Sequence, residues 1–135
     1  MKIKLYTAID STLRAIENCK ASGNTEWYEK HHHRLGELQD ELPSGSGVDC
    51  GTRIDYDNSK PDRFALVFDY HHMDEHGGYC GWTTWRVFVT PTFLGDLDLC
   101  FRIMNNDTEP GRDFEADLEY WHDLFHGALT QEVGE

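Results

Sequence analysis

Histidines, acidic residues and a cysteine gather between Asp69 and Trp82, in the segment DYHHMDEHGGYCGW. Imidazole and thiolate groups are ligands that zinc prefers, and a catalytic zinc site combines three protein ligands with one open position. Side chains of suitable chemistry are His71, His72, Asp74, His76 and Cys80. Adjacent residues of a strand point to opposite faces, so His71 and His72 are not expected to bind one ion together. No HExxH or CxxC pattern is present, and the sequence predicts a polar hairpin without a metal ion.

A glycine-rich segment, PSGSGVDCGTRID from Pro43 to Asp55, is the second feature with the residue types of a binding loop. A phosphate-binding loop needs the pattern GxxxxGK[ST] before a helix, and no lysine follows the glycines here. Two interpretations stay open: a structural turn, in which glycine permits positive φ, and a backbone nest for an anion. Asp49, Asp55 and Asp57 are also placed to receive a cation or an arginine from a partner.

Nucleophilic catalysis has no local signature in this chain. Cys50 and Cys80 are not in a motif that brings a base to a thiol, and Ser44 and Ser46 are not in a nucleophile elbow. The protein is therefore predicted to act without catalysis and without a cofactor. A metal-dependent hydrolase built on the turn from His71 to His76 is the enzyme alternative.

Aromatic residues crowd the same hairpin, where Tyr70, Tyr79, Trp82 and Trp85 cannot all be buried on one face of alternating strands. Exposed aromatic residues beside arginine are typical of binding hot spots, and exposed apolar patches mark interfaces, including those between two copies of a chain. A homo-oligomer is therefore one expectation. The residues predicted to bind a ligand or partner are Ser44, Ser46, Asp49, Thr52, Arg53, His72, Tyr79, Trp82 and Arg86.

The net charge of −13, from 25 acidic and 12 basic residues among 135, restricts the class of partner. Nucleic-acid binding needs a basic footprint, so direct binding to DNA or RNA is not predicted. A basic protein partner is favoured instead. The four cysteines are widely spaced, and no signal peptide or membrane-spanning run is recognised, so we expect reduced thiols, a cytoplasmic location and no membrane association.

The spacing of apolar residues predicts the helices and strands that hold these residues in position. Repeats at three and four predict two helices, over Leu5–Cys19 and Trp27–Leu42, the second capped by Asn24 and ended by Pro43. Alternation with a period of two predicts strands over Phe64–Tyr70, Trp82–Thr90 and Leu97–Ile103, and a fourth over Arg53–Asp57. A last helix is predicted from Asp113 to Leu129, with Phe114, Leu118, Trp121, Phe125 and Ala128 buried.

This order predicts one α+β domain over residues 1–135. An N-terminal helix pair precedes a three- to four-stranded antiparallel meander, because the connections between the strands are short. A C-terminal helix then packs on the sheet, and helices from both ends cover its apolar face.

Three strings carry a resemblance to a known family: LPSGSGVDCGTRID, YHHMDEHGGYCGW and VFVTPTF. They resemble small hypothetical proteins from tailed-phage and prophage genomes, and the resemblance covers most of the chain from ENCKASGNTEWYEKH onward. The family has no activity from which site residues are carried over. The resemblance implies an accessory protein that acts in the cytoplasm of a host cell.

These observations lead to two hypotheses of function. In the first, a non-catalytic phage accessory protein binds and inhibits a host component, with its acidic surface directed at a basic host protein. In the second, the glycine-rich segment and the aromatic hairpin hold a small anionic nucleotide at a subunit interface, as a sponge for a signalling ligand, with Arg53 and Arg86 as the phosphate-binding candidates.

Overall fold

An N-terminal helix pair is followed along the chain by a four-stranded antiparallel sheet and then by a C-terminal helix. The structure is a computed structural model that describes residues 1–43, 51–60, 62–73, 76–92, 95–106 and 118–134, with the backbone alone for 72, 73, 79, 80 and 104–106. The elements are β1 (Lys2–Lys4), α1 (Leu5–Ser22), α2 (Thr25–Gln39), β2 (Arg53–Lys60), β3 (Arg63–Met73), β4 (Tyr79–Pro91), β5 (Leu97–Asn106), α3 (Leu118–Thr130) and β6 (Glu132–Gly134). The predicted α+β class is confirmed.

The helix pair forms because its sequence supplies both a stop and a start. Gly23 adopts the left-handed conformation, with φ of 70°, that ends α1, and its neighbour Asn24 donates a backbone hydrogen bond to Cys19. The Asn24 side chain then accepts a hydrogen bond of 3.3 Å from the backbone N–H of Trp27, which is the predicted cap of α2. One short connection therefore reverses the chain.

The four strands of the sheet lie in the order β2-β3-β4-β5, so each is hydrogen-bonded to its neighbour in sequence. All three pairings are antiparallel, as the short connections predict. Phe64, Leu66 and Phe68 of β3 point to one face, and β4 places Val89, Val87 and Trp85 directly opposite them. We call this apolar side the inner face and the opposite side the outer face.

The hydrophobic core lies between the inner face and the three helices. Phe68 is at its centre: its ring centroid is 5.5 Å from that of Trp121 and 5.0 Å from that of Phe125, both on α3. Leu5 and Ile9 of α1 are also fully buried in this cluster. Helices from both ends of the chain thus cover one face of the sheet.

Two predicted helix faces differ from the observed ones. Trp27 is 49% exposed, because its ring lies against side chains of its own helix, 4.6 Å from the Lys30 ammonium and 5.7 Å from the His31 ring. In α3, Leu118 is 41% exposed, whereas the fully buried Leu129 continues the stripe. The predicted start of this helix, including Phe114, lies outside the described residues.

The structure also contains a short two-stranded sheet, β1 paired with β6, that the sequence does not predict. Ile3 lies opposite Val133, and the N–H of Leu5 donates a 2.8 Å hydrogen bond to the carbonyl of Gln131. Three residues per strand are too few for alternation to be recognised. The pairing holds the start of α1 beside the end of α3.

The described helices include none that is both long and apolar enough to cross a membrane.

Replacing Phe125 with alanine tests the central position of α3 in the core. Phe125 is fully buried between the rings of Phe68 and Phe101. Loss of its apolar contacts and the cavity left behind are expected to lower the free energy of unfolding by about 3–5 kcal/mol. Urea denaturation measures this change. Tyr120→Ala, on the exposed side of the same helix, is the control and should change stability by less than about 0.5 kcal/mol; equal losses would place Phe125 outside the core.

Candidate functional site

The residues predicted from the glycine-rich segment separate into two groups. Ser44, Ser46 and Asp49 lie outside the described residues. Thr52 is described and is only 4% exposed, and its hydroxyl donates a hydrogen bond to the carbonyl of Pro43. A buried hydroxyl with a backbone partner is satisfied inside the fold. The structure therefore gives Thr52 a local structural contact.

His72 and Tyr79 lie in the hairpin formed by β3 and β4, where the backbone alone is described. His72 is opposite Gly81, and Met73 is opposite Tyr79 after a shift in register. His71 lies on the outer face, opposite Trp82. The opposed orientation of His71 and His72 stays a prediction, because the side chain of His72 lies outside the described part of the structure.

Arg53 and Arg86 come together on the outer face. Both lie opposite Val67 of β3, Arg53 on one side and Arg86 on the other, and Arg86 in turn lies opposite Arg102 of β5. We call Arg53, Arg86 and Arg102 the arginine row, because they form one line across the strands. Neighbouring strands are about 4.8 Å apart, so roughly 10 Å separates the backbones of Arg53 and Arg86.

Carboxylates of the same face neutralise two members of the arginine row. The Nε of Arg86 lies 2.8 Å from Oδ2 of Asp55, and Nη1 of Arg53 lies 3.7 Å from Oδ2 of Asp69. Thr84 fixes Asp69 further, because its hydroxyl donates a 2.7 Å hydrogen bond to Oδ1. Asp55, expected to receive a cation or a partner's arginine, therefore receives Arg86 of its own chain. Among the described residues, no carboxylate pairs with Arg102.

The pKa of Asp55 is lowered by this environment. Burial raises its pKa, but hydrogen bonds from Asn58 and Arg86, together with the positive charge of Arg86, outweigh that effect. The Nδ2 of Asn58 donates to the same oxygen as Arg86, at 2.9 Å. The folded protein thus holds Asp55 as the carboxylate.

Arginine side chains also cover the apolar residues of the outer face. The guanidinium carbon of Arg63 is 4.7 Å from the centre of the Phe88 ring, and that of Arg86 is 5.9 Å from it. Ala65 and Val67 are buried although they lie opposite the core. The long stems of neighbouring side chains can cover such positions. Ion pairs and arginine–aromatic contacts among its own side chains therefore cover this part of the outer face.

The aromatic residues of the hairpin divide between the two faces. Tyr70 and Trp85 are buried in the core on the inner face, where Tyr70 packs edge-on against Trp121 at 5.6 Å. Trp82 is on the outer face and is half-buried. The aromatic excess that suggests self-association is accordingly smaller than the sequence indicates. Association of two copies stays a prediction.

The exposed side of α3 carries a different kind of surface. Glu119, Tyr120 and Asp123 are exposed there, together with Leu118, and the sequence of this helix contains no lysine or arginine. Glu119 and Asp123 are one helical turn apart, so their charges share one side. We call these four residues the acidic surface. Leu118 belongs to the predicted buried stripe of this helix, and its exposure is the part that the sequence does not predict.

No group of three or more His, Cys, Asp or Glu side chains suited to a metal ion occurs within the described part of the chain. Asp74 lies outside that part, and the side chains of His72 and Cys80 are not described. The metal hypothesis therefore has no assembled ligand set to support it in the described residues.

Replacing Arg86 with methionine tests the partnership with Asp55. Because Arg86 lowers the pKa of Asp55, the substitution is expected to raise that pKa. Burial, which also raises it, is then less opposed. The native carboxylate contributes stability above the unfolded pKa, and this contribution is lost as the pH falls through the lowered folded pKa. At neutral pH the lost charged hydrogen bond should cost about 1–3 kcal/mol. A carbon-detected NMR titration of Asp55 and urea denaturation measure both effects.

The matched control is Arg102→Met, which removes a guanidinium from the adjacent position of the arginine row. It should leave the titration of Asp55 close to that of the original protein. An Asp55 pKa that is the same in both variants would contradict the assigned pair.

Comparisons of the chain with protein-family models, with curated protein sequences and with solved structures give no match. The function is therefore inferred from the residues and contacts of this chain itself.

Proposed function

We propose that this protein is a non-catalytic binding protein whose acidic surface engages a basic protein partner. The observation that carries the proposal is the separation of charge. The outer face of the sheet pairs Arg86 with Asp55 and Arg53 with Asp69, whereas the helix that carries the acidic surface contains no lysine or arginine. The carboxylates of α3 are thus available to the basic side chains of a partner.

The sequence around α3 concentrates this surplus. Residues 107–135 contain nine acidic residues and one arginine, Arg112. Asp123 has a side-chain exposure of 76%, and its described ionic contact is with His122 at 3.6 Å. Exposed charges of one sign attract an oppositely charged protein and raise its rate of association.

Apolar residues within the acidic surface add a second contribution. Tyr120 is 62% exposed, and Leu118, at the start of α3, is 41% exposed. A tyrosine at the centre of an interface provides a large contact area and often carries much of the binding energy. In this proposal, Glu119 and Asp123 attract the partner and Tyr120 holds it.

The partner class follows from the same chemistry. Proteins that bind nucleic acid present lysine and arginine to phosphates, and a carboxylate-rich surface competes for those side chains. On the resemblance to tailed-phage proteins, we propose that this partner belongs to a host cell. We therefore propose that the protein binds a basic, nucleic-acid-binding host protein and inhibits it by occupying its basic surface.

The double variant Glu119→Gln, Asp123→Gln tests the electrostatic part of the proposal. Protein captured from host extract at low salt is identified by mass spectrometry, purified and titrated by calorimetry. Removing two charges near a basic surface should weaken binding about tenfold at low salt and flatten its salt dependence, because screening then has less attraction to remove. The single variant Glu29→Gln removes an exposed carboxylate of α2 as the control.

Tyr120→Ala separates a specific interface from general attraction between charges. The loss of a central tyrosine should weaken binding about tenfold or more without changing the salt dependence. If the double variant binds as tightly as Glu29→Gln, or if the captured protein is not basic, the proposal fails.

One observation favours a second candidate, a small anionic ligand such as a nucleotide on the outer face. Arg53 and Arg86 flank Val67 in one row, and Trp82 lies on the same face. Arginine binds phosphate through paired donors, and a tryptophan ring stacks on a base. Asp55 and Asp69 already occupy the two guanidinium groups, so an anion would have to replace these carboxylates.

Binding of cyclic nucleotides to Arg53→Ala and Arg86→Ala distinguishes the two candidates. On this candidate each substitution should reduce nucleotide affinity about tenfold, because each removes a charged hydrogen bond. Arg14→Ala, which removes an arginine of α1 away from the sheet's outer face, is the control. Nucleotide binding that survives both substitutions would exclude the arginine row as the site.

A further inference from the structure

A cavity of about 190 Å³ lies between the helix pair and β2, on the side of the sheet opposite the arginine row. Leu13 and Ile16 of α1 contribute an apolar wall, and both are buried. Tyr56 and Lys60 of β2 line the other side. The cavity is separate from the acidic surface, which belongs to α3.

Three neighbouring rings line this cavity, with His32 between Tyr28 and Tyr56. The His32 ring centroid is 4.5 Å from that of Tyr28 and 5.5 Å from that of Tyr56. The contact therefore bridges α2 and β2, which are also linked by a 2.9 Å hydrogen bond from the Ile54 N–H to Oε1 of Gln39. Aromatic rings at such distances offer planar surfaces against which another ring can pack.

His32 also presents an unused polar atom. Its Nε2 is buried and has no hydrogen-bond partner among the described residues. Buried polar atoms are nearly always hydrogen-bonded in folded proteins. Ser59, the nearby hydroxyl of the lining, is already engaged, since it donates to the carbonyl of Ala65 and accepts from its N–H. His32 belongs to the lining of the cavity, so this unpaired nitrogen is held next to the site of any ligand bound there.

The charges around the cavity leave one positive group unmatched. Lys20 lies 3.4 Å from Glu17, and both line the cavity. Lys60 lines it as well and has no carboxylate partner in the described part of the chain. A positively charged lining in a protein with a net charge of −13 is suited to an anion.

The volume sets the size of the ligand. Pockets for drug-sized molecules usually measure about 300–1,000 Å³, so 190 Å³ is too small for a nucleotide. A cavity of about 150 Å³ in another protein holds benzene. One six-membered ring with one small substituent is therefore the expected occupant.

We propose that this cavity binds a small planar anion, a single aromatic ring that carries one carboxylate. The ring packs against Tyr28 and Tyr56 over the apolar wall. The carboxylate pairs with the Lys60 ammonium, and Nε2 of His32, in its N–H form, donates a hydrogen bond to the ligand. This inference is independent of the acidic surface and of the arginine row.

Benzoate is the probe that tests this inference, with benzamide as its neutral analogue and benzylamine as its cationic one. Benzoate is expected to shift the NMR signals of the Tyr28, His32 and Tyr56 side chains at millimolar concentration. Benzamide should bind about tenfold more weakly, since it cannot form the ion pair, and benzylamine should not bind. Failure of benzoate to shift these signals would overturn the proposal.

Two pairs of variants assign the effect to the cavity. Lys60→Gln should weaken benzoate binding about tenfold, whereas Lys30→Gln, which removes the same charge from an exposed position of α2, should not. His32→Leu should also weaken binding, while His33→Leu changes the exposed neighbouring histidine and should have no effect. Circular dichroism confirms that each variant is folded. Equal affinities within either pair would show that benzoate is bound elsewhere, and the proposal would be wrong.

Discussion

Burial of one face of the sheet against three helices is the constraint on which the other features depend. Phe68 of β3 touches Trp121 and Phe125 of α3, and the same cluster includes Leu5 and Ile9 of α1. Because side chains alternate, fixing the apolar residues of β3 and β4 toward the helices fixes the intervening residues toward the other side. The arginine row is therefore a consequence of core packing. A slip of one residue would exchange Arg86 with Val87, and a buried unpaired guanidinium would make that register costly.

The same constraint distributes the charge of the molecule. Arg53 and Arg86 have carboxylates within reach because β2 and β3 place Asp55 and Asp69 on the outer face. Within the described residues, no lysine or arginine pairs with the carboxylates on the exposed side of α3. Because Arg53 and Arg86 are already paired, an anion that binds them must replace a carboxylate of the outer face. A basic partner of α3 has no such arginine pair to break, which is why the proposed function is assigned to this helix.

Local sequence patterns predicted most elements of the fold but only part of the candidate site. The cap at Asn24 and the alternation from Phe64 to Tyr70 depend on neighbouring residues, and both are found. Arg53 and Arg86 were selected individually, but their alignment depends on the register of three strands, which is a tertiary property. Local patterns can also mislead: Trp27 and Leu118 each fit an apolar helical stripe in the sequence, yet both side chains are substantially exposed. The cavity beside His32 combines residues from α1, α2 and β2, so no single segment of the sequence predicts it.

Pairing of β1 with β6 joins residues from opposite ends of the sequence, with Lys2 opposite Gly134. During synthesis, β1 leaves the ribosome before β6 and cannot pair with it until β6 has been translated. The loop that this pair closes includes nearly every other element, and the entropy lost on closing a loop increases with its length. The four-stranded sheet, whose connections are short, is therefore expected to form before β1 pairs with β6. Until that pairing forms, the edge of β1 is available to other chains.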